Sequence, residues 1–105
     1  MQTLLLADDL FPDLINGKKN ITIRNGRREI STGDLRFTTV SGNEVCGQGE
    51  CIVDVWKVQY KPLGAVTKQE ARQDGAKDIE ELVEDMKRFY PDITKETIVT
   101  VIHFN

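Results

Sequence analysis

The chain has 105 residues, 39% of them hydrophobic and 30% charged, which suits one globular domain with a single core and leaves little room for a second. Seventeen acids against fourteen bases give a formal charge of −3, which argues against a surface built to coat nucleic acid. No apolar run approaches the roughly 20 residues of a membrane span, and the N-terminus has no basic segment ahead of an apolar one. The expected location is therefore the cytoplasm, with no membrane partner.

Thr3 to Leu6 reads as a short apolar strand. Asp8 or Asp9 then caps a helix carrying Leu10, Phe11, Leu14 and Ile15 at helical spacing, with Pro12 in the first turn where a missing N–H does no harm. Gly17 is the natural left-handed terminator. From Asn20 to Arg24 polar and apolar residues alternate, the period of a half-buried strand, with Ile21 and Ile23 facing one way and Asn20, Thr22 and Arg24 the other. Ser31-Thr32-Gly33-Asp34 forms a turn and Leu35 to Val40 a strand. Ser41-Gly42-Asn43 is a hairpin-like turn leading into a long extended stretch from Glu44 to about Tyr60. In that stretch Ile52, Val53, Val55, Trp56 and Val58 are candidate core residues, and Gly47 and Gly49 mark a bend. Pro62 to Val66 is a connector.

Thr67 to Asp74 reads as a short helix closed by Gly75. Asp78, with Glu81 three residues on, opens another helix that runs to about Phe89 on the stripe Ile79, Leu82, Val83 and Met86, before Pro91 stops it. Thr97 to Phe104 is a final strand, apolar on both parities and so expected inside a sheet. About five to six strands with two or three short helices, and no βαβ alternation, predict an α+β domain on a small curved sheet or barrel over residues 1–105.

Charge is distributed unevenly. Lys18 to Arg28 holds five of the fourteen bases and no acid, leaving nine bases against seventeen acids elsewhere. Mixed-sign charge is the usual way to keep a surface soluble. A compact basic strip on an acidic body predicts instead one site for an anionic or nucleotide-like ligand.

Within the strip a strand puts Thr22 and Arg24 on one face, about 7 Å apart. A fully extended chain would point Lys19 away from Thr22, so the segment from Gly17 to Asn20 must turn for the two to meet. A threonine hydroxyl is a weak nucleophile until a base takes its proton. A lysine serves as that base only where burial or nearby cations favour the neutral amine, and Lys18 and Arg24 are the cations at hand. A carboxylate is the natural third member, orienting the lysine or passing a proton to the leaving group. Asp74, at the end of a short helix beside Gly75, and Glu70, one turn earlier, are equal candidates by position.

Other signatures are missing. There is no phosphate loop, no GxGxxG, and one histidine, His103, which nearly excludes Ser-His-Asp or Cys-His devices. Cys46 and Cys51 lack two further ligands for tetrahedral zinc and read as free thiols near the sheet. Trp56 and Tyr60 have the shape to stack on a base, but in a core strand such rings usually pack.

Gly17-Lys18-Lys19-Asn20-Ile21-Thr22-Ile23-Arg24 resembles the G-x-K-x-x-T-x-R motif of the ASCH domain family, small PUA-like β-barrels with flanking helices. The likeness continues through Thr32-Gly33-Asp34 and Phe89-Tyr90-Pro91 to the last strand. Size and element order are most similar to the short bacterial subgroup whose characterised members are N4-acetylcytidine amidohydrolases. The resemblance implies a catalytic set of Lys19, Thr22 and an acid that an ungapped reading places on Asp74, where the family has glutamate. Aspartate is shorter by roughly 1.5 Å of reach, a deficit of the size that weakens proton transfer, and Glu70 one turn away is the substitute. It further implies Thr22 as nucleophile, Lys19 as base and Asp74 or Glu70 as proton donor to the leaving amine. Arg24, Lys18 and Glu70 are the expected substrate-binding residues, with Lys18, Arg27 and Arg28 as an attracting rim. No metal or organic cofactor is implied. The expected partner of a monomer is a small nucleoside; the alternative is a non-catalytic RNA-binding module.

Overall fold

The alternating stretch after Glu44 becomes a strand of 19 residues, and the rest of the fold is arranged along it. The computed structural model describes residues 2–7, 10–17, 19–41 and 44–105. Its elements are β1 (Gln2–Ala7), α1 (Phe11–Ile15), β2 (Ile21–Asn25), β3 (Gly33–Ser41), β4 (Glu44–Pro62), a 3-10 turn (Leu63–Ala65), α2 (Lys68–Gln73), α3 (Ile79–Lys87) and β5 (Ile98–Phe104). The sequence readings at Asp8, Asp9, Lys18, Gly42, Asn43 and the Cys46 side chain lie outside the described residues.

The five strands form one sheet in the order β1-β3-β4-β5-β2. β1 runs parallel to β3, and every other pairing is antiparallel. β4 serves two partners in succession: Glu44 to Val55 pairs with β3, and Val55 to Pro62 pairs with β5. The register slips between Val55 and Lys57, leaving Trp56 as an extra residue that bends the strand. A second slip, between Thr38 and Val40, lies opposite the segment holding Gly47 and Gly49, where a bend was expected. The result is an α+β fold on a curled half-barrel.

Each half of the bent sheet covers its own core. Ile21, Ile23, Val99 and Val101 pack with Leu63, Leu82, Val83 and Met86 beneath α2 and α3. Leu4, Leu6, Leu35, Phe37 and Val53 pack with Leu14 of α1 and with Ile102 and Phe104. β5 thus feeds one core from its odd residues and the other from its even ones, which is why it reads as apolar on both parities. Val53 and Val55 are core as expected, and Val58 is partly buried. Ile52 and Trp56, at 56% and 54% exposure, are not: the former lies on the outward parity of β4 and the latter on the bulge.

Local signals set most helix ends. Thr67 and Glu70 form a reciprocal capping box at the start of α2, and Asp78 accepts the Glu81 N–H at the start of α3. α3 stops at Lys87, two residues short of the expected Phe89, and its last turn closes through the Tyr90 N–H on the Met86 carbonyl at 2.8 Å. Leu10 occupies the cap position of α1 and makes no side-chain cap hydrogen bond. No helix among the described residues is long and apolar enough to cross a membrane.

β1 and β2 are the two edges of the sheet, and the curl brings them toward each other. Arg24 of β2 spans the seam, donating from one guanidinium nitrogen to the Leu5 carbonyl of β1 at 2.7 Å.

Candidate functional site

The entry into β2 decides what the basic strip does. Gly17 takes the left-handed conformation at φ +75° after α1. The Lys19 N–H then donates to the Asp13 carbonyl (3.0 Å) and the Asn20 N–H to the Gln73 carbonyl (3.3 Å), so the chain is turned before pairing begins at Ile21. That turn brings Lys19 to the same cavity as Thr22 and Arg24.

The cavity, about 290 Å³, opens at the seam between the sheet edges. Leu5, Leu6 and Leu10 form an apolar side; Lys19, Thr22, Arg24 and Asp74 form the polar inner side; Asp85, Met86, Arg88, Phe89 and Tyr90 close it from α3 and the residues after it. Lys19 and Thr22 are only 4% and 3% exposed. The Lys19 ammonium pairs with the Asp74 carboxylate and also donates to the Asp74 backbone carbonyl at 3.3 Å. That carbonyl and the Gln73 carbonyl belong to the last turn of α2, whose orphan acceptors are thereby satisfied by Lys19 and the Asn20 N–H. Arg24 donates from Nε to Thr22 Oγ1 at 3.2 Å, and its guanidinium lies 6.0 Å over the Phe37 ring.

Burial dominates the electrostatics. It pushes the Asp74 carboxyl above the usual carboxylate range; Lys19 and Arg24 pull it back, and the negative charge of Asp85 pushes it up again. Burial likewise draws Arg24 below the ordinary arginine value, opposed by Tyr90 and Asp74. Among the described lining residues Lys19, Arg24 and Arg88 are set against Asp13, Asp74 and Asp85, equal numbers of each sign. The strip that predicted a site for an anionic or nucleotide-like ligand is basic in sequence, but Lys19 and Arg24 share the cavity with acids from α1, the end of α2 and α3.

The other sequence candidates fall outside this group. Glu70 faces away from Lys19: its Oε1 accepts from Lys61 Nζ at 2.6 Å and from the Thr67 N–H at 2.9 Å, and its Oε2 lies 3.5 Å from His103 Nε2. The two acids of α2 thus pair with different lysines, and Glu70 cannot substitute for Asp74 in this geometry. Arg27 stacks over Tyr60 at 4.4 Å and is not part of the lining. Arg28 is tied to β5 through its N–H on Thr100 Oγ1 (2.8 Å), and its guanidinium reaches the Tyr90 hydroxyl at 3.4 Å. Trp56 lies against His103, with ring centroids 5.1 Å apart. Cys51 is a free, partly buried thiol.

Sequence reasoning missed Asp13, Asp85, Arg88 and Tyr90 as lining residues. The available signal was at the edge of the α3 stripe. Asp85 follows Leu82 by three residues and precedes Phe89 by four, an acid on the border of an apolar face.

Three solved structures share the fold. An ASCH domain from Lactobacillus crispatus JV V101 superposes at a TM-score of 0.69 and 16% identity, over 96% of this chain and 78% of that one. A protein from Enterococcus faecalis V583 assigned to family DUF984 gives 0.76 at 14% identity, over 100% of this chain and 75% of its own. The hypothetical protein PH0355 gives 0.71 at 20% identity, over 99% and 96%. No protein-family model and no curated protein matches the sequence. The chain has the fold of an ASCH domain, the small PUA-like architecture that its motif implied.

Proposed function

We propose that this protein is an amidohydrolase that removes the acetyl group from N4-acetylcytidine or a closely related acylated nucleoside. The observation that carries this reading is the buried Lys19–Asp74 pair opening onto the same cavity as Thr22, whose hydroxyl already accepts from Arg24. A carboxyl whose proton affinity burial has raised, paired with a lysine, gives the pair a place to hold a proton taken from a hydroxyl and to pass it on.

The chemistry follows from these positions. The Lys19 ammonium first passes its proton to Asp74. Thr22 Oγ then attacks the acetyl carbonyl carbon while the neutral Lys19 amine takes its proton, and the guanidinium of Arg24 stabilises the oxygen charge that develops. The tetrahedral adduct collapses by breaking the C–N4 bond, and the departing amine receives its proton from the Lys19–Asp74 pair. Water then hydrolyses the acetyl-threonine ester, releasing acetate and restoring the hydroxyl. Lys19 carries the base role alone, since Glu70 is committed to Lys61 and the α2 cap.

The test is conversion of N4-acetylcytidine to cytidine and acetate by purified protein, followed chromatographically. Lys19→Ala and Thr22→Ala are each expected to lose about 10²- to 10⁴-fold in kcat. Turnover no higher in the native protein than in these variants sinks the reading. Salt-sensitive RNA binding that depends on Arg27 and Arg28 would then favour a binding module.

A further inference from the structure

We propose that Asp85 is the specificity-determining residue that reads the sugar of the nucleoside, an assignment that rests on the amidohydrolase reading. The cavity has a deep end and a shallow end. Lys19 and Thr22 are almost wholly buried, whereas Asp85, Arg88 and Phe89 are exposed, yet all five line the same space. In an N4-acylated cytosine the scissile amide and the glycosidic bond leave the ring from opposite positions, C4 and N1. When the amide meets Thr22, the sugar must point toward the shallow end, at the last turn of α3.

What waits there suits hydroxyl groups. A carboxylate offers acceptor lone pairs on both oxygens, which match the two adjacent O–H donors of a ribose. Burial and the charge of Glu81 hold the Asp85 carboxyl above its ordinary value, opposed by Arg88 one turn on, whose guanidinium lies 4.9 Å over the Phe89 ring. Apolar side chains also line the space, Leu6 and Met86 among them, and suit the ring of the base. A volume of about 290 Å³ is at the small end of ligand cavities, which favours a free nucleoside over a polymer.

Asp85 also acts on Asp74, whose proton affinity its charge raises. A loss of that influence would change hydrolysis of every acylated substrate alike, whereas loss of sugar contacts would not. The experiment uses this difference: kcat/KM is measured for N4-acetylcytidine and for N4-acetylcytosine, which has no sugar, with native protein, Asp85→Asn and Asp85→Ala. The expected result is a fall of roughly tenfold or more for the nucleoside, mainly through KM, with the base changed much less. An equal fall for both, or no fall for either, overturns the assignment. Calorimetric binding of cytidine and cytosine provides a second arm that needs no turnover. If native protein prefers cytidine and Asp85→Ala does not, sugar reading stands even where hydrolysis is absent and the amidohydrolase reading has failed. Equal preference in both proteins overturns it.

Discussion

Helix α2 has a lysine–carboxylate pair at each end, and the two behave in opposite ways. At its start Glu70 receives Lys61, the Thr67 N–H and the neighbourhood of His103. Burial alone would raise the Glu70 carboxyl, but the hydrogen bonds from Lys61 and Thr67 and the Lys61 charge outweigh it, and the group lies below its ordinary value. At the other end Asp74 has Lys19, and burial wins, so its carboxyl lies above the ordinary value. One pair is saturated with donors and holds α2 onto β4 and β5. The other is left under-solvated beside a cavity, the condition in which a proton can be exchanged.

Four substitutions test that contrast, beginning with the largest effect. Asp74→Asn should lower kcat on N4-acetylcytidine by about 100-fold or more while the protein remains folded, checked by activity and circular dichroism together. Glu70→Ala should instead cost about 3 kcal/mol of stability by stranding Lys61 and opening the cap, measured by urea denaturation. If Glu70→Ala keeps its stability and loses activity as Asp74→Asn does, the two ends of α2 are not different in kind.

Stability against pH should separate them next. Glu70 has a depressed folded-state value, so its contribution is present above the unfolded value and is lost as pH falls through the folded one. Asp74 has a raised value, so its contribution is present below the unfolded value and is lost as pH rises through the folded one. Glu70→Gln should therefore flatten the acid limb of a denaturation midpoint plotted from pH 3 to pH 7, whereas Asp74→Asn should steepen it. His103, depressed by burial with Glu70 opposing, adds a loss as pH drops below its ordinary value of 6.5 in the native protein. The smallest effect is expected from Asp74→Glu. The reach deficit of aspartate is closed here because Lys19 comes to the helix end and bonds the Asp74 backbone carbonyl as well. An added methylene should cost about 1 kcal/mol in denaturation through crowding. A gain in activity for Asp74→Glu would mean that the shorter acid is a real handicap.

Much of the fold was legible because local chemistry decided it. The Thr67–Glu70 and Asp78–Glu81 caps, Pro12 in the first turn of α1 and the alternation of β2 all lead to the elements observed. Trp56 was misread because a bulge changes which side a residue faces, and strand period alone does not reveal a bulge. In the site, Lys19, Thr22 and Arg24 were visible through one short motif. The choice between Asp74 and Glu70 was not, since adjacent turns of a six-residue helix look alike until the strands beneath supply different partners. Asp85 showed only as an acid on the border of the α3 stripe, and it and Tyr90 join the cavity through the packing of α3 and the residues after it, which the stripe alone does not place.

Arg24 links the Thr22 cavity to the edge of the sheet. β1 carries Leu4-Leu5-Leu6 on an edge strand, with Leu5 49% exposed, a segment of the kind that recruits strands from other chains. The guanidinium that donates to Thr22 also occupies the Leu5 carbonyl and sets a fixed positive charge against that edge. Drift at this position is therefore constrained twice, because a chain that gave up the arginine would uncover the Leu5 carbonyl on that edge as it lost the contact to Thr22.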